Sequence, residues 1–108
     1  QTCALPIYVS GEVKAAIFNL GYLPKSDKKL ITRANTTLTA LRKLLTMLSN
    51  KGRIAIMIYY GHEGGKMEKD AVLEFVSGLD QKQYQVYHYG AMNQVNQPPF
   101  LVMIEKLG

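Results

Sequence analysis

The sequence contains a single cysteine, Cys3, and no continuous apolar stretch long enough to cross a membrane. One cysteine excludes both a disulfide framework and a cysteine-based metal site within the chain. The start lacks the basic and apolar segments of a secretory signal, so we expect a cytoplasmic protein. The chain has 108 residues, 47% of them hydrophobic, which is enough for the packed core of one small domain.

Acidic residues are also scarce, with 8 against 13 basic ones and a formal net charge of +5. The basic excess is concentrated between residues 25 and 43, where Asp27 is the single acidic residue. The cations of this patch are Lys25, Lys28, Lys29, Arg33, Arg42 and Lys43. Such a patch favours a polyanionic partner such as RNA. A solvated loop and helix face would account for the same charges and stays an alternative.

The first seven residues can be back-translated into a nucleotide sequence that resembles the end of a common sequencing adapter. We therefore expect residues 1–7 to be a read artefact, to be excluded from fold reasoning. Residues 8–108 would then be the natural part and would begin in mid-gene. A natural coding sequence running upstream through Gln1 would contradict this interpretation.

The most informative stretch covers residues 15–24. It begins as a continuous apolar run, which predicts a strand buried on both faces. It then stops at Asn19, Gly21, Tyr22 and Pro24. In open α/β sheets ligands lie at the carboxyl ends of strands, so these residues are candidates for a site. An ordinary turn after a buried strand is the alternative.

Hydrophobic periodicity predicts the remaining elements and their order. The predicted elements are strand 13–20, polar loop 21–35, a leucine-rich helix capped by Asn35, Thr36 or Thr37, strand 53–60, helix 66–79, and strands 84–89 and 100–104. We expect the first helix to end at residues 49–52, with Gly52 in the left-handed conformation. The second strand, like the first, runs into a polar and glycine-rich segment, residues 60–65. Both strands should therefore deliver polar groups to one edge of the sheet.

The order of these elements predicts an α/β fold with two parallel strands joined by crossover helices. The last two strands are joined without a helix, which predicts a C-terminal antiparallel hairpin. This arrangement resembles the closing half of a Rossmann-like sheet of the S-adenosylmethionine-dependent methyltransferases.

Residues 18–24, Phe-Asn-Leu-Gly-Tyr-Leu-Pro, resemble the strand-end motif of the MnmM-type tRNA wobble-uridine methyltransferases, also called rRNA methylases. The resemblance continues in order through Thr32, Thr36-Thr37-Leu38, residues 60–65, Glu68-Lys69, residues 93–99 and residues 104–106. Lys25-Ser26 stand where the family usually has Gly before Asp-Lys. The opening half of the family, with the glycine-rich turn and acidic residue that hold S-adenosylmethionine, has no counterpart in this chain.

The resemblance implies a tRNA methyltransferase that uses S-adenosylmethionine to methylate the aminomethyl group of wobble 5-aminomethyl-2-thiouridine. Residues 8–108 would be the C-terminal part of its single methyltransferase domain. We expect this part alone to be inactive, and its first strand to be an exposed edge. The implied partners are S-adenosylmethionine and tRNA, without a metal or a membrane, and a homodimer is left open.

The resemblance also implies roles for the strand-end residues. Asn19 would accept a hydrogen bond from the substrate amino group, and the carbonyl of Leu20 or Gly21 would accept a second. The same three residues would line the cofactor, and the ring of Tyr22 offers a face to a base. These residues are similar to the Asn-Pro-Pro-Tyr motif of amino-methylating enzymes, with Leu-Gly in place of Pro-Pro.

His62 is the best candidate for a general base, because it follows the adjacent strand and has a suitable intrinsic pKa. Alternatively, His62 only contacts a loop carbonyl or the substrate. His88 is interpreted as a structural residue. The candidate tRNA-binding residues are Lys25, Lys28, Lys29 and Arg33, with Gly61 and Gly64 permitting close backbone approach to a phosphate or the cofactor.

Two other functions remain open on the sequence. A non-enzymatic RNA-binding module would use the same basic patch and aromatic residues. A methyltransferase acting on a different RNA or amine would share the fold and the strand-end motif.

Overall fold

The computed structural model describes residues 3–4, 7–9, 12–20, 30–61 and 65–108, with side chains at 13–20, 34–61 and 65–108. These residues form a mixed six-stranded sheet and two helices. The elements are β1 (Cys3–Ala4), β2 (Ile7–Val9), β3 (Glu12–Leu20), α1 (Leu30–Met47), β4 (Leu48–Ile58), α2 (Gly65–Ser77), β5 (Tyr84–Gly90) and β6 (Phe100–Lys106).

The sheet is built around the parallel pair β3 and β4. β6 lies antiparallel to β4, and β5 lies antiparallel to β6, which gives the order β1-β3-β4-β6-β5. α1 is the crossover between the parallel strands, because a parallel connection must return the chain to the same end of the sheet. The predicted α/β fold, with a parallel pair and a C-terminal antiparallel hairpin, is confirmed.

The core lies on one face of this sheet. Phe18, Ile56 and Val102 form one buried cross-strand row, and their neighbours in the core cluster include Leu41 of α1 and Val76 of α2. Residues of the opposite face alternate with them along each strand, as the pleat requires. The helices therefore cover a single face of the sheet.

The predicted burial of the first strand on both faces is wrong. Ile17 is 48% exposed, and its cross-strand row continues through Ala55 and Met103 to Tyr87, which is 50% exposed. An apolar run cannot reveal by itself whether both faces have a covering layer. In the described residues, both helices pack on the other face.

The first helix begins earlier than predicted, so residues 30–35 are helical rather than part of a loop. Ala34 is buried on the same side of α1 as Leu41, which extends the apolar stripe towards the amino end. The proposed caps Asn35, Thr36 and Thr37 lie inside the helix. The tertiary packing of this stripe outweighs the preference of these residues for helix caps.

The end of this helix also differs from the prediction. α1 ends at Met47 and β4 follows directly, with Leu48 pairing with Val13 and Arg53 with Ala15. The intervening residues form an irregularity of the bulge type. Lys51, with a φ of 66°, adopts the left-handed conformation that was predicted for Gly52.

The outer edge of β3 is paired rather than exposed. β1 and β2 both pair with it antiparallel, with Cys3 opposite Asn19 and Ile7 opposite Ala15. The prediction of an exposed edge is therefore wrong for the described residues. The origin of residues 1–7 as a read artefact stays a prediction.

Replacing Gly52 with alanine should destabilise the chain. A Cβ at this position would lie 2.8 Å from Leu48 Cδ1 and 2.8 Å from the carbonyl oxygen of Ser49. Overpacking of this kind typically costs about 1–3 kcal/mol. We expect the free energy of unfolding in urea to fall by that amount.

Gly78 provides the matched control, because a Cβ there would lie 3.7 Å from the carbonyl oxygens of Glu74 and Phe75, an ordinary contact. Gly78→Ala should leave the unfolding midpoint nearly unchanged. Equal effects of the two substitutions would contradict the proposed crowding at the bulge.

Candidate functional site at the carboxyl edge of the sheet

The two central strands end at the same edge of the sheet. Leu20 lies opposite Ile58, and the backbone N–H of Tyr59 donates a hydrogen bond to the carbonyl oxygen of Leu20 at 3.1 Å. This pairing confirms that β3 and β4 deliver their ends to one place. Carboxyl ends of parallel strands are where α/β folds bind ligands.

Asn19 presents its side chain at this edge on the face that the helices do not cover. Its neighbours Phe18 and Leu20 are 0% and 1% exposed, whereas Asn19 is exposed. The alternation of the strand therefore turns the amide of Asn19 outwards. An exposed amide of this kind can offer a ligand both an acceptor oxygen and N–H donors.

Leu20 contributes its backbone rather than its side chain. The side chain is part of the core, and the carbonyl oxygen already accepts one hydrogen bond from Tyr59. A carbonyl oxygen has a second lone pair, so its predicted role towards an amine stays chemically feasible.

Gly61 lies against the loop between β5 and β6. A Cβ on Gly61 would be 3.5 Å from Oε1 of Gln97, which itself has a φ of 51°. The loop of residues 91–99 thus reaches the edge at which β4 ends. Gln97, from the segment of residues 93–99 that forms part of the family resemblance, therefore lies close to the candidate site.

Several predicted site residues lie outside the described residues. These are Gly21, Tyr22, Lys25, Lys28, Lys29, His62 and Gly64. Arg33 falls within α1, where its backbone alone is described. Their roles stay predictions.

A buried polar pair between the helices was missed by sequence reasoning. Thr37 of α1 donates a hydrogen bond from Oγ1 to Oε2 of Glu68 of α2 at 2.6 Å, and the two residues are 0% and 4% exposed. The sequence did contain a signal for this pair. Thr37 lies one helical turn before buried Leu41, and Glu68 lies one turn before buried Val72, so both fall on apolar helical faces. A polar residue on an apolar helical face predicts a buried partner.

Lys69, which follows Glu68, makes a cation–π contact with Tyr60, two residues beyond the end of β4. Its Nζ lies 4.6 Å from the ring centroid of Tyr60, and this ring meets Phe100 edge-on at 5.8 Å between centroids. Phe100 in turn contacts the ring of His88 at 4.9 Å. This arrangement supports a structural role for His88.

The outer side of α2 carries an exposed ion pair. Lys66 Nζ lies 2.8 Å from Asp70 Oδ2, and Lys69 Nζ lies 3.3 Å from Asp70 Oδ1. The hydrogen bond from Lys66, followed by that from Lys69, lowers the pKa of the Asp70 carboxyl. The hydrogen bond to Asp70 raises the pKa of Lys66. Since both groups are exposed, this pair contributes little to stability.

A separate groove of about 680 Å³ lies between the end of α2 and β5, lined in part by Leu73, Tyr84 and His88. It is distant in the fold from the end of β3 and contains none of the residues predicted to contact substrate.

Across the described ranges, no cluster of three or more potential metal ligands occurs. Within the same residues, no helix has the length and hydropathy of a membrane span.

The mixed sheet with its parallel central pair and crossover helix defines an α/β protein. A family profile described as "Putative rRNA methylase" matches residues 3–105. The chain belongs to this family, since the match covers nearly all of its length.

Individual relatives agree with this assignment. The chain is 34% identical over 97 residues to the chloroplastic tRNA (mnm(5)s(2)U34)-methyltransferase of Arabidopsis thaliana, covering 90% of the chain. A protein of Streptococcus mutans, described as a putative methyltransferase and solved in complex with SAH, is 57% identical with a TM-score of 0.78 over 93% of the chain. A protein of Clostridium thermocellum, described as a putative rRNA-methylase, is 48% identical with a TM-score of 0.80 over 93% of the chain.

The relatives are considerably longer than this chain. The chain spans 35% of the plant enzyme and 54% of each of these two solved relatives.

Asn19 should be dispensable for stability if its side chain serves a ligand. Asn19→Ala should change the free energy of unfolding by less than about 0.5 kcal/mol, as is usual for exposed positions. Phe18→Ala, one residue away in the core, should cost about 3–5 kcal/mol. Urea unfolding of both variants tests this contrast, and a large loss for Asn19→Ala would indicate a structural amide.

Proposed function

We propose that this chain is the acceptor-binding part of an S-adenosylmethionine-dependent tRNA methyltransferase. Its substrate would be the aminomethyl group of 5-aminomethyl-2-thiouridine at the wobble position. The 34% identity to the plant tRNA (mnm(5)s(2)U34)-methyltransferase, over 90% of the chain, carries the proposal. We expect the protein to act in the cytoplasm.

The exposed amide of Asn19 suits the positioning of an amine. Its Oδ1 would accept a hydrogen bond from one N–H of the substrate amino group and leave the nitrogen lone pair free for attack. The Leu20 carbonyl, or that of Gly21, would accept from the second N–H. Because an amide does not titrate in water, Asn19 orients the nucleophile and does not act as a base.

The proposed contacts with tRNA use residues of the polar segments around the site. Tyr22 would stack on the target base, since aromatic rings bind bases of unpaired nucleotides. His62 is the candidate that removes the amine proton. Lys25, Lys28, Lys29 and Arg33 would contact the phosphate backbone, with Gly61 and Gly64 leaving room for it.

S-adenosylmethionine would supply a methyl group on a sulfonium, ready for in-line displacement. The described residues fit the acceptor side of such a site, because Asn19 and Gly61 are both exposed at the carboxyl edge. The glycine-rich turn and acidic residue that hold the donor in the family have no counterpart in the sequence. We therefore propose that the isolated chain neither binds the donor tightly nor transfers its methyl group.

The test is a gene replacement with analysis of tRNA. The full-length gene that contains this sequence, placed in a bacterium that accumulates the unmethylated aminomethyl nucleoside, should convert it to the methylaminomethyl form. Asn19→Ala should reduce the rate on the order of 100-fold, since misplacing a reactant has effects of that size. Mass spectrometry of tRNA nucleosides measures both results.

Asn50→Ala is a suitable control, because Asn50 is an exposed asparagine at the bulge of β4 and takes no part in the proposed site. It should retain full conversion, and the isolated 108-residue chain should give none. Methylation of a different nucleoside would contradict the proposed substrate while supporting a methyltransferase.

A second candidate function is a non-enzymatic RNA-binding module, which the basic excess of the chain favours. Both functions require phosphate contacts, so tRNA affinity should fall steeply with salt. Lys28→Ala should reduce the slope of log affinity against log salt by about 1, whereas Lys82→Ala, in the exposed turn before β5, should not. Titrations of the full-length protein at several salt concentrations, with and without S-adenosylmethionine, measure the slope and separate the two functions. Only an enzyme should respond to the cofactor.

A further inference from the structure

The buried pair Thr37 and Glu68 has no part in the function proposed above. Burying a carboxyl group is costly unless it is hydrogen-bonded, and Thr37 supplies such a bond at 2.6 Å. The bond joins the interior of α1 to the first turn of α2. It therefore fixes where α2 begins relative to α1.

The next residue extends this connection to the sheet. Lys69 lies over the ring of Tyr60, two residues beyond the end of β4. A cation above an aromatic ring is attracted to its face, and Lys69 is only 19% exposed. The first turn of α2 is thus held on one side by α1 and on the other by Tyr60.

The backbone beside Tyr60 reaches the strand that carries Asn19. The N–H of Tyr59 donates to the carbonyl oxygen of Leu20, the residue that follows Asn19. This bond lies beyond the last paired residues, Leu20 and Ile58, where strands most readily fray. Tyr60 is therefore the chain neighbour of the residue that binds the end of β3.

We propose that Thr37 and Glu68 are positioning residues for Asn19. Their hydrogen bond fixes the first turn of α2, Lys69 transmits this constraint to Tyr60, and Tyr59 holds the end of β3. The catalytic consequence rests on the proposed function, whereas the structural coupling can be tested without any activity.

Hydrogen exchange of the Tyr59 amide, followed by NMR, tests the coupling in the chain itself. Thr37→Val should raise the exchange rate of this amide about 10-fold relative to the amides of Ala55 and Ile56 in the middle of β4, the effect of losing one net hydrogen bond. Thr37→Ser, which keeps the hydroxyl, should restore the slow rate.

Thr46→Val is the matched control, because Thr46 also lies on α1 and donates to the carbonyl of Lys43 at 2.7 Å on an exposed surface. It should leave the Tyr59 amide unchanged. An equal rise at Tyr59, Ala55 and Ile56 with Thr37→Val would indicate simple loss of stability and would overturn the proposal. No rise at Tyr59 would also overturn it.

Lys69→Met supplies a second variant if Thr37→Val does not fold, because it leaves the buried pair intact. It should likewise accelerate exchange at Tyr59, and Lys69→Arg, which keeps the cation, should not. Unchanged exchange in Lys69→Met would show that the constraint does not pass through Tyr60, contrary to the proposal.

In the full-length enzyme, Thr37→Val should lower kcat about 10-fold and leave KM for S-adenosylmethionine unchanged, with Thr37→Ser restoring kcat. A change in KM alone would contradict positioning of the acceptor. If the wild-type enzyme methylates no tRNA, the proposed function fails, and the exchange measurements still decide the coupling.

Discussion

The structure depends on the parallel pairing of β3 with β4. This pairing sets Asn19 opposite Met57 and Leu20 opposite Ile58, and so brings the end of β3 to the amide of Tyr59. A slip of one residue would turn Asn19 into the core and Phe18 outwards, because side chains alternate between faces. The buried row of Phe18, Ile56 and Val102 therefore selects the register that exposes the amide.

The two faces of the sheet differ because both described helices pack on one of them. The buried face consists of aliphatic side chains and Phe18, while the opposite face exposes Ile17 and Tyr87. Parallel sheets usually carry helices on both faces. Among the described residues, one face of this sheet carries both helices.

The order and type of the main elements were predictable, because leucines and valines repeat with the period of the element that they form. Features that depend on backbone geometry were not. Lys51, rather than Gly52, adopts the left-handed conformation, and Gly52 is needed for the close approach of Leu48. The sequence shows that a glycine is present. It does not show whether the position needs a left-handed φ or only the room that a missing Cβ leaves.

The candidate site was predictable as an edge and not as a set of contacts. The abrupt end of two apolar runs predicted that both strands finish at one edge, and the strand register confirms this as far as Leu20 and Ile58. The pairing of Thr37 with Glu68 joins residues 31 positions apart, and such long-range partners leave no local pattern. Each of the two residues breaks an apolar stripe, which predicts that a partner exists but not which residue it is.

Core packing and the proposed contact with a ligand therefore fall on opposite faces of the same strand. Phe18 and Leu20 hold the sheet against the helices, and Asn19 between them faces the solvent. Because adjacent residues serve opposite faces, an exposed residue at the strand end can be dedicated to a ligand without loss of core packing. In the proposed function, the core would hold the strand that orients the amide, and the uncharged amide would add no charge next to the amine.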